Sequence, residues 1–449
     1  VLEDPTLDAS RRFRAAGALA SMDRNDTRWV GLAAEIASWF VSQEALEAGL
    51  WVDAFQPLGD LLREPLKQLF IAEGRSEKRY VAALVLSGLH PTDVGLQLEL
   101  ISAAEEGMLR TLVGRLTTLG SNAVRELELE LERTEPRGRT QQEREQSVRR
   151  KTNLALALAL MDNTSPWLPL LSEGEGPLPR TLMIHSFAKA GVNPRMLFDL
   201  LCTEEDPLAR QALLLSLGEY RKADLPLDLE EDIQRTAIDL FVEDPDPGVH
   251  SAARWLLCSW GQEPLIAARE SAISECDRRA EQNWYLTSEG HTMAILDGPV
   301  DFVMCSPPEE PNRVADQEDP HPGTIPRTFA IACMETTAAQ FHRYTGAQES
   351  PLAGAEDSGN LPAHTMTYNE ATQYCNWLSA QEGIPEEEWC YPNARTDRDG
   401  HLVKVAPYSD YLDRTGYRLP TTEEWEYACR HGTTTSWHYG DSLEYLEKY

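Results

Sequence analysis

Three groups of residues in this chain have types and spacings that bear on chemistry. They are the cysteines, the histidines and one dense polar stretch near residue 420. The eight cysteines fall at positions 202, 258, 276, 305, 333, 375, 390 and 429. No CxxC pair occurs, and no Cys/His cluster has the spacing of a zinc site. A disulfide framework is not expected in so large a chain, so most of these thiols should behave as small buried hydrophobes. Cys258, inside WLLCSWG, is the clearest such case. His90, His185 and His250 stand alone in helical surroundings and are expected to be structural residues rather than catalysts. On residue types and spacing alone, no catalytic, cofactor-binding or metal-binding residue can be assigned.

The stretch YRLPTTEEWEYACR (417–430) has a local structural logic. It reads as a strand end, a Pro turn and a helix start. Thr421 can cap the helix, and Glu424, three residues on, can return the bond as a capping box. Trp425, Ala428 and Cys429 are expected to share a face, with Trp425 as a core anchor.

The elements that must carry these residues change character along the chain. Before about residue 270 one theme recurs. DPTLDASRRFRAAGALASMD (4–23), DPLARQALLLSLGEY (206–220) and DPDPGVHSAARWLLCSWG (244–261) each begin with Asp-Pro and continue with small and apolar residues at helical spacing. SEKRYVAALVLSGL (76–89) is a weaker copy with Ser in place of Asp-Pro. Asp accepts from the free N–H groups of a helix start, and Pro suits the first helical position. Ala212, Ala252 and Ala253 allow close helix approach, and Gly88, Gly218 and Gly261 fall where the helices should end. Units of this kind bury their apolar faces by stacking. They resemble HEAT-type α-solenoid repeats, with irregular spacing between copies. The interruption RELELELERTEPRGRTQQEREQSVRRK (125–151) reads as two exposed helices around a break at Pro136-Arg-Gly138. It is either a solvated charged hairpin, the reading preferred here, or a partner-binding arm. Arg149-Arg150-Lys151 either begins the helix TNLALALALMD, the preferred reading, or binds an anion. A solenoid carries no chemistry of its own and presents a curved surface to a protein partner.

After RRAEQNWYLTSEG the period changes. HTMAIL and VDFVMC are short β-rich runs joined by the turn signal Asp297-Gly298-Pro299. FAIACME gives a further strand, followed by a helix for which Thr336 is the expected cap. HTMTYNEATQYCNWLSAQEG gives another helix, with Ala371, Tyr374, Cys375 and Leu378 on one face. These boundaries predict a helical-repeat region over 1–270, a linker over 271–290 and an α+β region over 291–449.

Bulk properties narrow the partners. With 73 acidic against 41 basic residues the net charge is −32 over 449 residues. That field opposes nucleic acid and anionic membrane, so neither is an expected partner. No apolar run is long enough to span a bilayer, and no leader pattern is visible. The chain begins without Met and is read as a processed product or a fragment, from which no compartment follows.

GPVDFVMCSPPEE, FAIACMETTAAQF, YNEATQYCNWLS, YRLPTTEEWEYACRHG and WHYG occur in the order found in the formylglycine-generating enzyme or sulfatase-modifying factor family, which residues 291–449 resemble. The resemblance implies a C-type-lectin-like α+β fold. Paired with helical repeats, it looks like a group of large bacterial, planctomycete-type proteins in which a serine/threonine kinase domain lies upstream. No Gly-rich loop, His-Arg-Asp or Asp-Phe-Gly is present, so kinase chemistry is not expected of these residues. Cys305 stands where the family usually has Gly, and Thr337 stands for a common Val. The segment from Ser379 to Gly416, containing WCYPNARTDRDGHLVKVAPYSDYLDRT, is an insertion read as a surface flap. The family's oxidases hold copper(I) on a pair of cysteines near the C-terminus, in a block not found before Tyr449. Cys375 and Cys429 match other family cysteines, which in some secreted members bridge to later ones. Here they are expected to be buried thiols, and Cys390 matches nothing. No cofactor is therefore expected, with copper reserved for a parent that has the later pair. The domain is read as unfinished, which would leave an apolar patch exposed around Trp425. Two readings follow. One is a non-catalytic protein-binding, sensor or scaffold region of a larger, kinase-linked signalling protein. The other is an oxidase of a substrate cysteine whose active half lies beyond residue 449.

Overall fold

The computed structural model describes residues 8–72, 74, 76–135, 138, 140–172, 176–274, 282–306, 310, 313–314, 316–346, 361–395, 403–430 and 432–448. The chain divides into two compact units, Val1–Glu204 with Ser442–Tyr449, and Glu205–Asp441.

The first unit is helical. Its α-helices are α1 (Ala9–Ala20), α2 (Arg28–Phe40), α3 (Ala45–Phe55), α4 (Gly59–Ala72), α5 (Glu77–Leu89), α6 (Val94–Ser102), α7 (Glu106–Thr117), α8 (Ser121–Arg133), α9 (Gln141–Ala159), α10 (Pro177–Ala190) and α11 (Pro194–Thr203). Helix α1 begins at Asp8, whose carboxylate accepts from the Arg11 N–H at 2.8 Å. The Asp4-Pro5 start expected from the repeat lies outside the described residues. Ser76 caps α5 as its sequence suggested. An aromatic cluster closes the first helices together. Phe13, Phe40 and Phe55 lie 4.8–5.1 Å apart between ring centroids.

The charged interruption does form two helices, α8 and α9, but they are not simply solvated. Leu127 and Leu131, one turn apart on α8, are buried. Helix α9 starts at a Thr140–Glu143 capping box, so Arg149-Arg150-Lys151 lies in mid-helix and does not begin it. Its second half, Leu154 to Ala159, is buried on all sides. Small and branched apolar residues around the whole circumference suit a helix enclosed by neighbours. The C-terminal residues belong to this unit as well. Ser442 Oγ lies 2.8 Å from Glu145, Glu444 pairs with Arg149 at 2.5 Å, and the buried Tyr445 ring stacks on His185.

The second unit opens with four more helices, α12 (Pro207–Gly218), α13 (Leu227–Glu243), α14 (Pro247–Ser259) and α15 (Glu263–Ser274). Asp206 and Asp246 stand at helix starts as expected. Each carboxylate accepts from two backbone N–H groups at 2.8–3.2 Å. The three glycines expected at helix ends lie there: Gly88 one residue before the end of α5, Gly218 as the last residue of α12, and Gly261 just past α14, with φ +71° and the N–H of Gln262 returning to Leu257. Gly218 also permits a close approach, since an added Cβ would sit 2.2 Å from the Trp255 ring. Gly88 is likewise a close-approach position, with Val52 2.9 Å from a Cβ placed there.

Strands follow, with no strand before them among the described residues. Strands β1 (Trp284–Leu286), β2 (Thr292–Leu296) and β5 (Phe329–Ala332) form one antiparallel sheet in the order β1-β2-β5. Strands β3 (Val300–Met304) and β4 (His321–Ile325) form a separate antiparallel pair. The turn at Asp297-Gly298-Pro299 therefore carries the chain from one sheet to the other. Helices α16 (Ala338–Thr345), α17 (Tyr368–Gln381) and α18 (Thr422–Arg430) complete the unit. The cap of α16 is Thr337 rather than Thr336, because only Thr337 has a Gln three residues on to close the box. Residues 271–290, read as a linker, contain the end of α15 and all of β1; positions 275–281 lie outside the described residues. Trp284 of β1 is 1% exposed and packs directly against the α13–α14 turn, its Nε1 donating to the Asp244 carbonyl at 2.8 Å. The whole is a helix-rich region followed by a small sheet-containing region of low regular-structure content.

Among the described residues no helix is long and apolar enough to cross a membrane.

Candidate functional site

The dense stretch at 417–430 holds the polar centre of the second unit. Thr421 and Glu424 make the expected capping box, with Glu424 N–H to Thr421 Oγ1 at 3.2 Å and Thr421 N–H to Glu424 Oε2 at 3.0 Å. The same carboxylate does more. It is 1% exposed and accepts two bonds from Arg418, at 2.6 and 2.7 Å, with Arg327 at 3.5 Å. Burial alone would raise the Glu424 pKa. The Arg418 bonds, the Thr421 N–H and the two guanidinium charges outweigh it and hold the carboxyl below the ordinary range. A buried carboxylate with bidentate Arg and a backbone donor is a fixed structural ion, not a group poised to exchange protons.

This pair decides which way α18 faces. With Glu424 inward, Tyr427 follows one turn on and packs 5.3 Å from the Phe302 ring. Trp425 and Cys429 then lie on the outer face, and Trp425 is 58% exposed. Trp425 is thus not a core anchor. The Tyr417–Leu419 backbone is also not a strand. Its N–H groups go to side chains instead of a ladder, Tyr417 to Ser379 Oγ at 2.8 Å and Leu419 to the Tyr391 hydroxyl at 3.1 Å.

A second cluster sits at the end of β3. Cys305 has φ +71°, the left-handed region that disfavours side chains with a Cβ. The conformation accounts for Gly at the equivalent place in the family it resembles. Two α18 residues clamp it. The Cys305 N–H donates to Glu426 Oε1 at 2.6 Å, and Arg430 donates to the Cys305 carbonyl at 2.8 Å. Glu426 and Arg430 are themselves paired at 3.0 Å.

The insertion after Ser379 is not a surface flap. Cys390, Tyr391 and Val405 from it form a small core with Cys375 of α17, and Tyr411, Tyr417 and Leu419 pack around them. The Cys390 thiol donates toward the Gly416 and Tyr411 carbonyls at 3.2 and 3.4 Å. Burial, reinforced by the neighbouring Cys390, pushes the Cys375 thiol up to about 12. The expectation of buried cysteines therefore holds for Cys375 and Cys390 but fails for most others. Cys202, Cys333 and Cys429 are exposed, and Cys258 and Cys305 are half-buried. Cys276 lies outside the described residues. Exposed ends of α11 and α18 account for Cys202 and Cys429, while Cys258 faces the Arg254 guanidinium at 3.9 Å rather than the core.

Copper(I) seeks two accessible thiolates. Cys375 and Cys390 do not fit that requirement, since both are enclosed, protonated thiols and one already donates to carbonyls. Among the described residues no group of three or more His, Cys, Asp or Glu could hold a metal ion.

The histidines act as packed polar residues. His90 Nε2 lies 3.2 Å from the Gly59 carbonyl. His250 lies face to face with Trp284 at 3.7 Å between centroids, and its nitrogens meet the Phe241 carbonyl at 2.6 Å and Thr292 Oγ1 at 3.3 Å. Burial lowers its pKa to about 4. His291, not singled out in the sequence, is equally buried and meets the Tyr374 hydroxyl at 2.7 Å. Its pKa is also about 4, because of burial and then the nearby Arg343 charge. Sequence reasoning also passed over Arg418. The available signal was an Arg six residues before the capping-box Glu in the same short motif.

Residues 283–449 match the family model of the sulfatase-modifying factor enzyme 1-like domain. A formylglycine-generating enzyme from Mycobacterium tuberculosis (strain ATCC 25618 / H37Rv) is 31% identical over 149 residues, covering 29% of this chain and 50% of that protein. The chaperone protein LppX of Paenibacillus barcinonensis is 30% identical over 109 residues, covering 23% and 36%. The matched part of the chain thus spans half or less of the length of these curated relatives. No solved structure matches it. The capped α18 motif, the glycine-like backbone at Cys305 and these similarities lead to one statement: residues 283–449 are a sulfatase-modifying factor (FGE-sulfatase) domain following a helix-rich region.

Proposed function

We propose that this chain is a non-catalytic protein-binding, sensor or scaffold region of a larger signalling protein, linked to a kinase as its pairing of regions implies. The helices α1–α11 of the first unit, and separately α12–α15 of the second, act as HEAT-like repeats and offer their surface to a protein partner. Residues 283–449 serve as a rigid platform of C-type-lectin-like fold. One observation carries this reading. Two residues of reactive type in the family motifs are engaged in holding the fold: Glu424 is bound to Arg418 and the α18 capping box, and Cys375 is enclosed beside Cys390. A fold can keep its architecture while its sites differ.

A second reading, an oxidase that converts a substrate cysteine to formylglycine, is favoured by the 31% identity to such an enzyme. Anaerobic copper(I) titration and an oxidation assay on a cysteine-containing peptide separate the two. The scaffold reading expects no stoichiometric copper and no oxidised peptide. Tight one-to-one copper binding with turnover would establish the oxidase and overturn it.

A further inference from the structure

Two independent features coincide on helix α3. The first is apolar exposure. Through α11, the large hydrophobic side chains that stand in solvent all lie between Leu19 and Ile71, among the described residues. The most exposed are Leu46 and Leu50, at 86% and 83%, one helical turn apart on α3. Gly49 between them has nothing within 4 Å of a Cβ placed there, so the ledge is open. Leucines at i and i+4 form a stripe that a partner helix can engage.

The second feature is charge. Residues 29–62 contain five carboxylates, Glu35, Glu44, Glu47, Asp53 and Asp60, and no Lys, Arg or His. Glu35 is paired with Arg12. Glu44, Glu47 and Asp53, which flank the leucine stripe on α3, have no salt bridge among the described residues. The next cations along the chain are committed elsewhere, Arg63 to Asp93 and Lys67 to Glu99. An open apolar stripe with an uncompensated anionic rim complements one kind of surface, an apolar stripe with a cationic rim.

We infer that the Leu46–Leu50 face of α3 docks a basic amphipathic helix of a partner protein, seating its apolar stripe on the two leucines and its Lys or Arg flanks on Glu44, Glu47 and Asp53. The inference rests on the proposal that the helical region binds a protein, and it names the face and the class of partner. The rim speeds and orients the encounter while the leucines set its lifetime.

The test uses the full chain and a fluorescent amphipathic Lys/Leu helical peptide of about 18 residues as probe, with fluorescence anisotropy read over a range of salt. The double variant Leu46→Ser/Leu50→Ser leaves net charge unchanged and should weaken binding by about tenfold or more. Glu47→Gln/Asp53→Asn should weaken it and flatten its salt dependence. Glu126→Gln/Glu132→Gln on α8 removes the same charge elsewhere and should leave binding at the wild-type level. Far-UV circular dichroism checks that all variants keep their helices, which exposed positions permit. Wild-type binding by the leucine variant, or equal weakening by the α8 control, would overturn the inference. Self-association of the chain that the leucine variant abolishes would give the face to a second copy and overturn it as well. Peptide-induced hydrogen-exchange protection confined to other helices would move the docking face while leaving the scaffold reading intact. Copper titration tests that reading separately.

Discussion

Arg418 and Glu424 are joined by two hydrogen bonds of 2.6 and 2.7 Å across the turn that leads into α18, and the carboxylate is almost fully enclosed. Removing one partner strands the other charge, which costs about 3–5 kcal/mol. Arg418→Met and Glu424→Ala should each destabilise the second unit on that scale, with Glu424→Ala also losing the Thr421 N–H bond that completes the α18 capping box. Chemical denaturation followed by tryptophan fluorescence measures both. A change under about 1 kcal/mol for either would mean the pair is not desolvated as described.

The same carboxyl sets an acid limit. Its folded pKa lies below the unfolded value of about 4.3, so its contribution is complete above that value and is lost as pH falls through the folded pKa. The thermal stability of the second unit should therefore fall as pH drops below about 4.3. In Glu424→Gln that part of the slope should vanish.

His250 and His291 also favour folding at higher pH. Both folded pKa values are about 4, below the unfolded value of about 6.5. Each contributes stability that is complete above the unfolded value and is lost as pH falls toward 4. Proton NMR of the imidazole rings should place both midpoints near 4, and a midpoint between 6 and 7 for either would contradict the burial assigned to it.

Two tryptophans of the second unit should behave in opposite ways. Trp284 fills the space between α14 and β1, stacked on His250, and Trp284→Ala should cost about 3–5 kcal/mol. Trp425 stands in solvent, and Trp425→Ala should change stability by about 0.5 kcal/mol or less. Equal losses at the two positions would restore Trp425 as a core residue.

Backbone geometry predicts a second contrast. Cys305→Gly relieves a left-handed conformation and should stabilise by about 1 kcal/mol. Gly416→Ala places a Cβ 2.6 Å from the Glu388 carbonyl and should destabilise by about 1–3 kcal/mol, since backbone cannot step aside. Melting temperatures of the two variants should move in opposite directions.

The features that sequence by itself determined are those whose partners lie within a few residues. Asp206 and Asp246 cap helices because the N–H groups two and three residues on donate to their carboxylates. Thr421 and Glu424 close a box because they are three apart on a helix start, and the same rule, applied strictly, selects Thr337 over Thr336. The change from helical to strand-rich character between about residues 270 and 291 and the family motifs of the later region were legible for the same local reason, although β1 was read as linker. Tertiary structure decided the rest. Whether Trp425 or Glu424 faces inward depends on Arg327 arriving from another segment and on the turn that brings Arg418 back over Glu424. Whether 417–419 forms a strand depends on Ser379 and Tyr391 taking its N–H groups. Cys390 is a core residue because Cys375, Val405 and Tyr411 close over it, though nothing beside it in the chain marks it so. A hydrogen bond within one turn is set by neighbours in sequence, whereas burial is set by whatever the fold brings from far along the chain.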